Sequence, residues 1–289
     1  MPRAKNGAVE LEYETFGDDR PETVILINGL GSQMTRWPVA FCEKLAARGY
    51  RAIRFDNRDV GLSSWLEGQS YTIQDMAADA IAVLDAAGVG KAHVAGVSMG
   101  GMITQTVAIE HPERVLSITS IMSATGAPGT MDSTPEAAAV LNVPPPDPKA
   151  DFEVFVAHQM KNARTIGSPA YPWTEDELRE RAIAEYRRAF NPAGVGRQMA
   201  AIRADGDRTA RLAKLNVPTV VLHGAADPLL KPYGGEMTAK AIPGAELRII
   251  EGMGHDLPPG LYDTVIDAIV TAASRAKVAP PRRELSQSD

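Results

Sequence analysis

The sequence predicts an α/β protein: a mostly parallel sheet covered by helices on both faces, interrupted once by a helical insertion. Three observations carry this. Strand-like and helix-like stretches alternate over Thr23–Met122 and again over Val217–Lys277, the signature of βα units. Most of these strands, such as TVILI at 23–27 and VPTVVLH at 217–223, are continuous apolar runs, as strands buried on both faces must be. The alternation breaks near Ser123 and does not resume until after Leu212.

Each element has a local cause. Ala8–Phe16 alternates apolar and acidic residues, as expected of an edge strand half open to water. Thr23–Ile27 forms the next strand, and Trp37–Arg48 reads as a helix closed by Gly49. Tyr50–Phe55 is a strand that runs into the polar turn Asp56–Ser63. Thr72–Ala87 is an amphipathic helix ended by Gly88. Ala92–Val97 is a buried strand, followed by a helix from Met99 to the stop at His111-Pro112, and then by a strand at Val115–Met122.

Residues 126–148 are rich in Gly, Pro and Ala and read as a linker or an irregular entrance loop. Helices are expected at Phe152–Arg164, at Glu175–Phe190 with Thr174 as N-cap and Glu177 completing a capping box, and at Gly196–Arg211. Strands at Val217–His223 and Glu246–Ile250 and a helix at Leu261–Lys277 finish the pattern. This divides the chain into a core of residues 1–123 and 213–278, a cap of residues 124–212, and a polar tail, 279–289, expected to be disordered.

Composition narrows the classes of partner. The 289 residues are 44% hydrophobic and 23% charged, typical of a soluble globular chain, and the net charge of −6 argues against nucleic acid or anionic membrane. The N-terminus lacks an apolar targeting segment and no window is apolar enough to span a bilayer. The single cysteine, Cys42, excludes an internal disulfide, reads as a small packed hydrophobe, and suits a cytoplasmic location. A monomer or homodimer is expected.

Chemistry concentrates at Gly96-Val97-Ser98-Met99-Gly100. A G-x-S-x-G motif with a strand before it and a helix after it places the serine on a strained turn, with its hydroxyl pushed outward. The helix that follows aims free N–H groups and the positive end of its dipole at the same spot. A serine hydroxyl needs a base, and the base an orienting acid. Downstream, Asp227 and His255 each lie in a loop directly after a strand. Asp256 is a rival for the acid, although adjacency to His255 makes its geometry awkward. Among the other histidines, His93 falls within a strand and reads as a core group, and His111 reads as a helix cap. His158 either lines the pocket or lies on a solvated helix face. His223 ends a strand near the site.

Tetrahedral intermediates need two main-chain N–H donors. Met99, after the nucleophile, supplies one, and Leu30 in Asn28-Gly29-Leu30-Gly31 supplies the other, with Gly31 the alternative. The turn at 56–63 reads as a buttress in which Arg58 and Asp56 can pair. Met34, Met99, Met102 and Met253 flank these loops and are expected to give an apolar, adaptable pocket wall.

Together INGLGSQMTRW, FDNRDVGLSS, GVSMGGMITQ, HGAADP and GMGHDLP resemble the α/β-hydrolase superfamily, most of all the aclacinomycin methylesterase-like carboxylesterases. The resemblance covers nearly all of 23–122 and 217–269. It implies an eight-stranded core, a helical lid, a Ser98–His255–Asp227 triad and neither cofactor nor metal. Asn28 stands where many relatives carry histidine, and the insertion has no family signature, so the relative's polyketide substrate does not carry over. The expected activity is hydrolysis of small to medium hydrophobic carboxylic esters. A cofactor-free haloperoxidase (perhydrolase) or a carbon–carbon bond hydrolase on the same residues is the alternative, and a non-catalytic ligand receptor a further one.

Overall fold

The structure is a computed structural model and describes residues 2–278; the expected disorder of 279–289 falls outside the described residues. Eight strands form one sheet: β1 (Arg3–Asn6), β2 (Val9–Phe16), β3 (Glu22–Ile27), β4 (Tyr50–Phe55), β5 (Ala92–Val97), β6 (Val115–Ile121), β7 (Thr219–Gly224) and β8 (Glu246–Ile250). Their spatial order is β1-β2-β4-β3-β5-β6-β7-β8. The β1–β2 and β2–β4 pairs are antiparallel and every other pair is parallel. Strands β3 and β5 are therefore central, buried almost along their whole length, and their carboxyl ends open onto the same side of the sheet.

Helices cover both faces, as a parallel sheet requires. On one face α2 (Ile73–Ala86) and α3 (Met99–Glu110) pack Ile73, Met76, Leu84, Ile103 and Val107 against Ile25, Ile27, Ile53 and Val94. On the other, α1 (Val39–Ala47) and α10 (Tyr262–Val278) pack Phe41, Leu45, Val265, Ile266 and Ile269 against Val24, Leu26 and Leu222. The two faces of each strand thus feed two separate cores. Between β6 and β7 the chain is helical only: α4 (Pro135–Asn142), α5 (Phe152–Ile166), α6 (Glu175–Arg188), α7 (Pro192–Asp205) and α8 (Thr209–Leu212). This insertion has its own small aromatic core, in which Phe155 packs against Phe152, Tyr186 and Phe190. The capping box at Thr174 and Glu177 starts α6 as its residues require.

Four details differ from the sequence reading. β2 is not the edge of the sheet, because β1 pairs along its outer side and buries Ala4. The 126–148 stretch contains α4, started by Thr134 accepting the Ala137 N–H and by Pro135 at the first helical position. The helix read at 196–211 starts earlier, at Pro192, and stops at Asp205 because Gly206 turns to φ +72°. Finally, α9 (Tyr233–Ala241) lies between β7 and β8, where two glycines obscure the helical pattern. Among the described residues no helix is long and apolar enough to cross a membrane.

Candidate active site

Ser98 is the hinge between β5 and α3. Its φ of 56° and ψ of −120° are strained for a residue with a side chain, and the surrounding motif explains how the turn is held. A Cβ on Gly96 would lie 2.1 Å from the Gly100 carbonyl oxygen, one on Gly100 2.2 Å from that of Ile27, and one on Gly101 2.4 Å from Ser123 Cβ. Only glycine permits strand, helix and neighbouring strand to converge this closely. The elbow is tied to β6 from outside as well, through Ser98 N–H to Ile121 O at 2.9 Å and Ser123 Oγ to Ser98 O at 2.8 Å.

Asp227 and His255 reach each other because their loops are laced together by main chain. Ala225 N–H donates to Ile250 O and Ala226 N–H to Met253 O, and Gly224 is the residue that lets Met253 O approach where a Cβ would stand only 2.2 Å away. Asp227 Oδ2 then accepts from His255 Nδ1 at 2.7 Å, while Oδ1 accepts the N–H groups of Leu229 and Leu230, both at 2.9 Å. His223 Nε2 lies 3.4 Å from the same Oδ2 and donates to Leu230 O at 2.7 Å. Burial alone would raise the Asp227 carboxyl. Electrostatic attraction to His255 and the hydrogen bonds from His255 and His223 outweigh that and hold it well below the usual carboxylate range. It is a buried acid kept ionised.

The rival acid is engaged elsewhere. Asp256 accepts from Ser168 Oγ and from Trp173 Nε1, so its side chain is turned into the insertion. The histidine loop as a whole rests on that insertion: His255 N–H donates to Ile166 O at 2.7 Å, Gly254 N–H to Ser168 Oγ at 2.9 Å, and Ala170 N–H to Gly252 O at 3.1 Å.

Ser98 and His255 make no hydrogen bond to one another among the described residues; His255 Nε2 is buried and without a partner. The structure thus joins two of the three expected residues directly; the third follows β5, which β6 separates from β7. Ser98 faces the first loop instead. A Cβ on Gly29 would stand 3.2 Å from Ser98 Cβ and 3.7 Å from its Oγ. Among the described residues the N–H groups of Leu30 and Met99 meet no acceptor, whereas Gly31 N–H is taken by Gln198 Oε1 at 2.8 Å. Of the two candidates in this loop, Leu30 is the one left free to donate.

The buttress is built differently from expectation. Arg58 pairs with Asp79 at 2.6 and 2.8 Å, not with Asp56. Asp56 instead accepts the Met34 and Leu62 N–H groups at 2.7 and 2.9 Å, and Arg188 of α6 lies 2.7 Å from its Oδ2. The four flanking methionines are buried. His93 is satisfied in the core by Ser117 at 2.8 Å, and His158 lies 3.0 Å from Asn162 on α5. Sequence reasoning missed Gln198, Gln33 and Arg188, whose partners lie more than 100 positions away.

A family model described as the alpha/beta hydrolase fold matches residues 22–258, and the chain belongs to that family. The rhodomycin D methylesterases DauP of Streptomyces sp. (strain C5) and DnrP of Streptomyces peucetius are each 31% identical to it, over 93% and 94% of this chain and 97% and 98% of theirs. Among solved structures, the meta-cleavage product hydrolase CumD of Pseudomonas fluorescens IP01 superposes with a TM-score of 0.80 at 21% identity, covering 96% of this chain and 98% of that one; at that identity the likeness speaks to the fold.

Proposed function

We propose that this protein is a carboxylic ester hydrolase that works through an acyl-enzyme on Ser98. The observation that carries the reading is a buried imidazole, His255, held by an ionised Asp227, on the same carboxyl-end side of the sheet as a serine held at positive φ at a strand–helix turn. In this reading His255 takes the Ser98 proton through Nε2, its one ring nitrogen without a partner. Donation of the Nδ1 proton to Asp227 fixes the tautomer in which Nε2 is the base, and the carboxylate stabilises the imidazolium that forms. Catalytic hydrogen bonds are often long before substrate binds, so approach of Ser98 Oγ to Nε2 belongs to the substrate complex.

Attack on the ester carbonyl transfers its charge to the oxygen, which the Met99 and Leu30 N–H groups receive. Collapse expels the alcohol, which takes its proton from His255. Water, deprotonated by the same imidazole, then releases the acid and regenerates Ser98. The two methylesterase relatives support an ester as substrate class. The α4–α8 insertion serves as a lid over small to medium hydrophobic esters, and the buried single cysteine suits the cytoplasm. The test is turnover of a p-nitrophenyl ester series by wild type, Ser98→Ala and His255→Ala: both variants are expected to fall to background while remaining folded. Ester turnover retained by folded Ser98→Ala overturns the proposal.

A further inference from the structure

Helix α7 buries Gly194, Gln198, Ala201 and Ile202 along one side. A glutamine in that stripe is costly unless both ends of its amide are satisfied. Both are, and by main chain: Oε1 accepts the Gly31 N–H at 2.8 Å and Nε2 donates to Arg58 O at 2.9 Å. Because one partner is an N–H and the other a carbonyl, the amide has a single workable orientation. Gln198 itself is fully buried. Around it α7 is locked to the same two loops. Arg197 grips Asp59 at 2.7 and 2.8 Å, Asn191 donates to Asp59 O at 3.0 Å, and a Val195 methyl lies 2.9 Å from where a Cβ on Gly31 would be.

The Gly31 N–H belongs to the peptide plane that follows Leu30. Fixing that plane, together with the Ser32 N–H to Gly29 O bond at 3.2 Å, sets the torsions on either side of Leu30 and so the direction of its own N–H. We propose that Gln198 is a positioning residue for the oxyanion hole: from the helical insertion it occupies the Gly31 N–H and orients the Leu30 N–H toward the carbonyl oxygen of a substrate on Ser98. This rests on the esterase reading above and deepens it. The insertion then does more than cover the site; it completes the geometry that stabilises the transition state.

Kinetics of p-nitrophenyl acetate hydrolysis, with thermal unfolding of each variant, test this on wild type, Gln198→Met, Gln198→Glu and Arg197→Gln. Methionine keeps the volume and removes both hydrogen bonds. Since loss of one oxyanion donor costs about 100- to 1,000-fold in kcat, its misalignment in Gln198→Met is expected to cost about 10- to 100-fold, with KM within about threefold. Glutamate restores an oxygen to the Gly31 N–H and is expected to recover most of that loss. Arg197→Gln, which loosens the same helix without touching the Gly31 contact, is expected to lower Tm but keep kcat within about threefold of wild type.

A folded Gln198→Met with wild-type kcat overturns the proposal, as does an Arg197→Gln with an equal kcat loss. If Gln198→Met does not fold, Gln198→Glu decides: kcat within about fivefold of wild type supports the clamp, and a larger loss in a folded protein overturns it. Failure of the esterase reading looks different, because wild type and Ser98→Ala would then be equally inert, and both proposals would fall.

Discussion

Asp227 Oδ2 is shared between two imidazoles, His255 Nδ1 at 2.7 Å and His223 Nε2 at 3.4 Å. Each ring keeps its other nitrogen buried and without a partner, but the His223 nitrogen nearest the carboxylate is already committed to the Leu230 carbonyl. The acid is thus anchored by His223 and the two N–H groups of its own turn, and in the proposed mechanism it acts through His255.

Asp227→Asn should therefore keep the fold and lose the chemistry. The amide oxygen can still accept the Leu229 and Leu230 N–H groups, but its NH2 would face His255 Nδ1 and select the wrong tautomer. A drop in kcat of about a thousandfold to ten-thousandfold is expected, with a near-unchanged circular dichroism spectrum. Steady-state ester hydrolysis checks it, and a loss of tenfold or less would show that the acid lies elsewhere.

The same carboxylate sets a pH dependence of stability. Its folded pKa lies below the unfolded value of about 3.9. Such a group stabilises the fold above the unfolded value, and that contribution fades as pH falls through the folded one. The Tm gap between wild type and Asp227→Asn should be full from about pH 5 to 7 and narrow below about pH 4. Thermal scans across that range measure it, and a gap that widens on acidification would contradict the assignment.

Arg58 and Asp79 are both almost completely buried, and Asn6 Nδ2 completes the carboxylate at 2.9 Å. Arg58→Met would leave that charge without its cation, and breaking such a buried pair costs about 3–5 kcal/mol. Urea unfolding should show stability lowered by that amount, read as a lower midpoint with an unchanged slope. The loop at 56–63 would lose its tie to α2, so ester turnover should weaken as well.

Much of this was legible in the sequence, and what was not has a physical reason. The alternation of apolar runs and amphipathic stretches predicted the layered sheet, because burial on two faces leaves no other pattern. Ser98, Asp227 and His255 could each be placed at a strand end from local residues alone. The four-residue strand β1, Arg-Ala-Lys-Asn, is too short and polar to announce itself, and is held by pairing with β2. Helix α9 begins Tyr-Gly-Gly because Gly235 must clear the His223 ring, 2.6 Å from its missing Cβ. Contacts between the insertion and the core, such as Gln33 with Arg188 at 2.8 Å or Gly31 with Gln198, carry no periodic signal. Arg58 was legible as a buttress but not its partner, since Asp56 in sequence and Asp79 one helix away are equally plausible by charge.

Cys42 is buried behind Trp37, and burial pushes its thiol up to about 12. The native protein should take up no iodoacetamide at about pH 8, where an exposed thiol is partly ionised, and a single adduct in denaturant. Intact-mass measurement before and after unfolding checks both. Rapid labelling of the folded chain would contradict the packing described for α1.

The central claim is that Ser98 is the nucleophile, and an active-site-directed fluorophosphonate tests it most directly. After a short incubation, peptide mapping by mass spectrometry should find one phosphonyl adduct, on Ser98, absent from Ser98→Ala and from His255→Ala. An adduct on any other residue, or equal labelling of folded Ser98→Ala, would contradict the account.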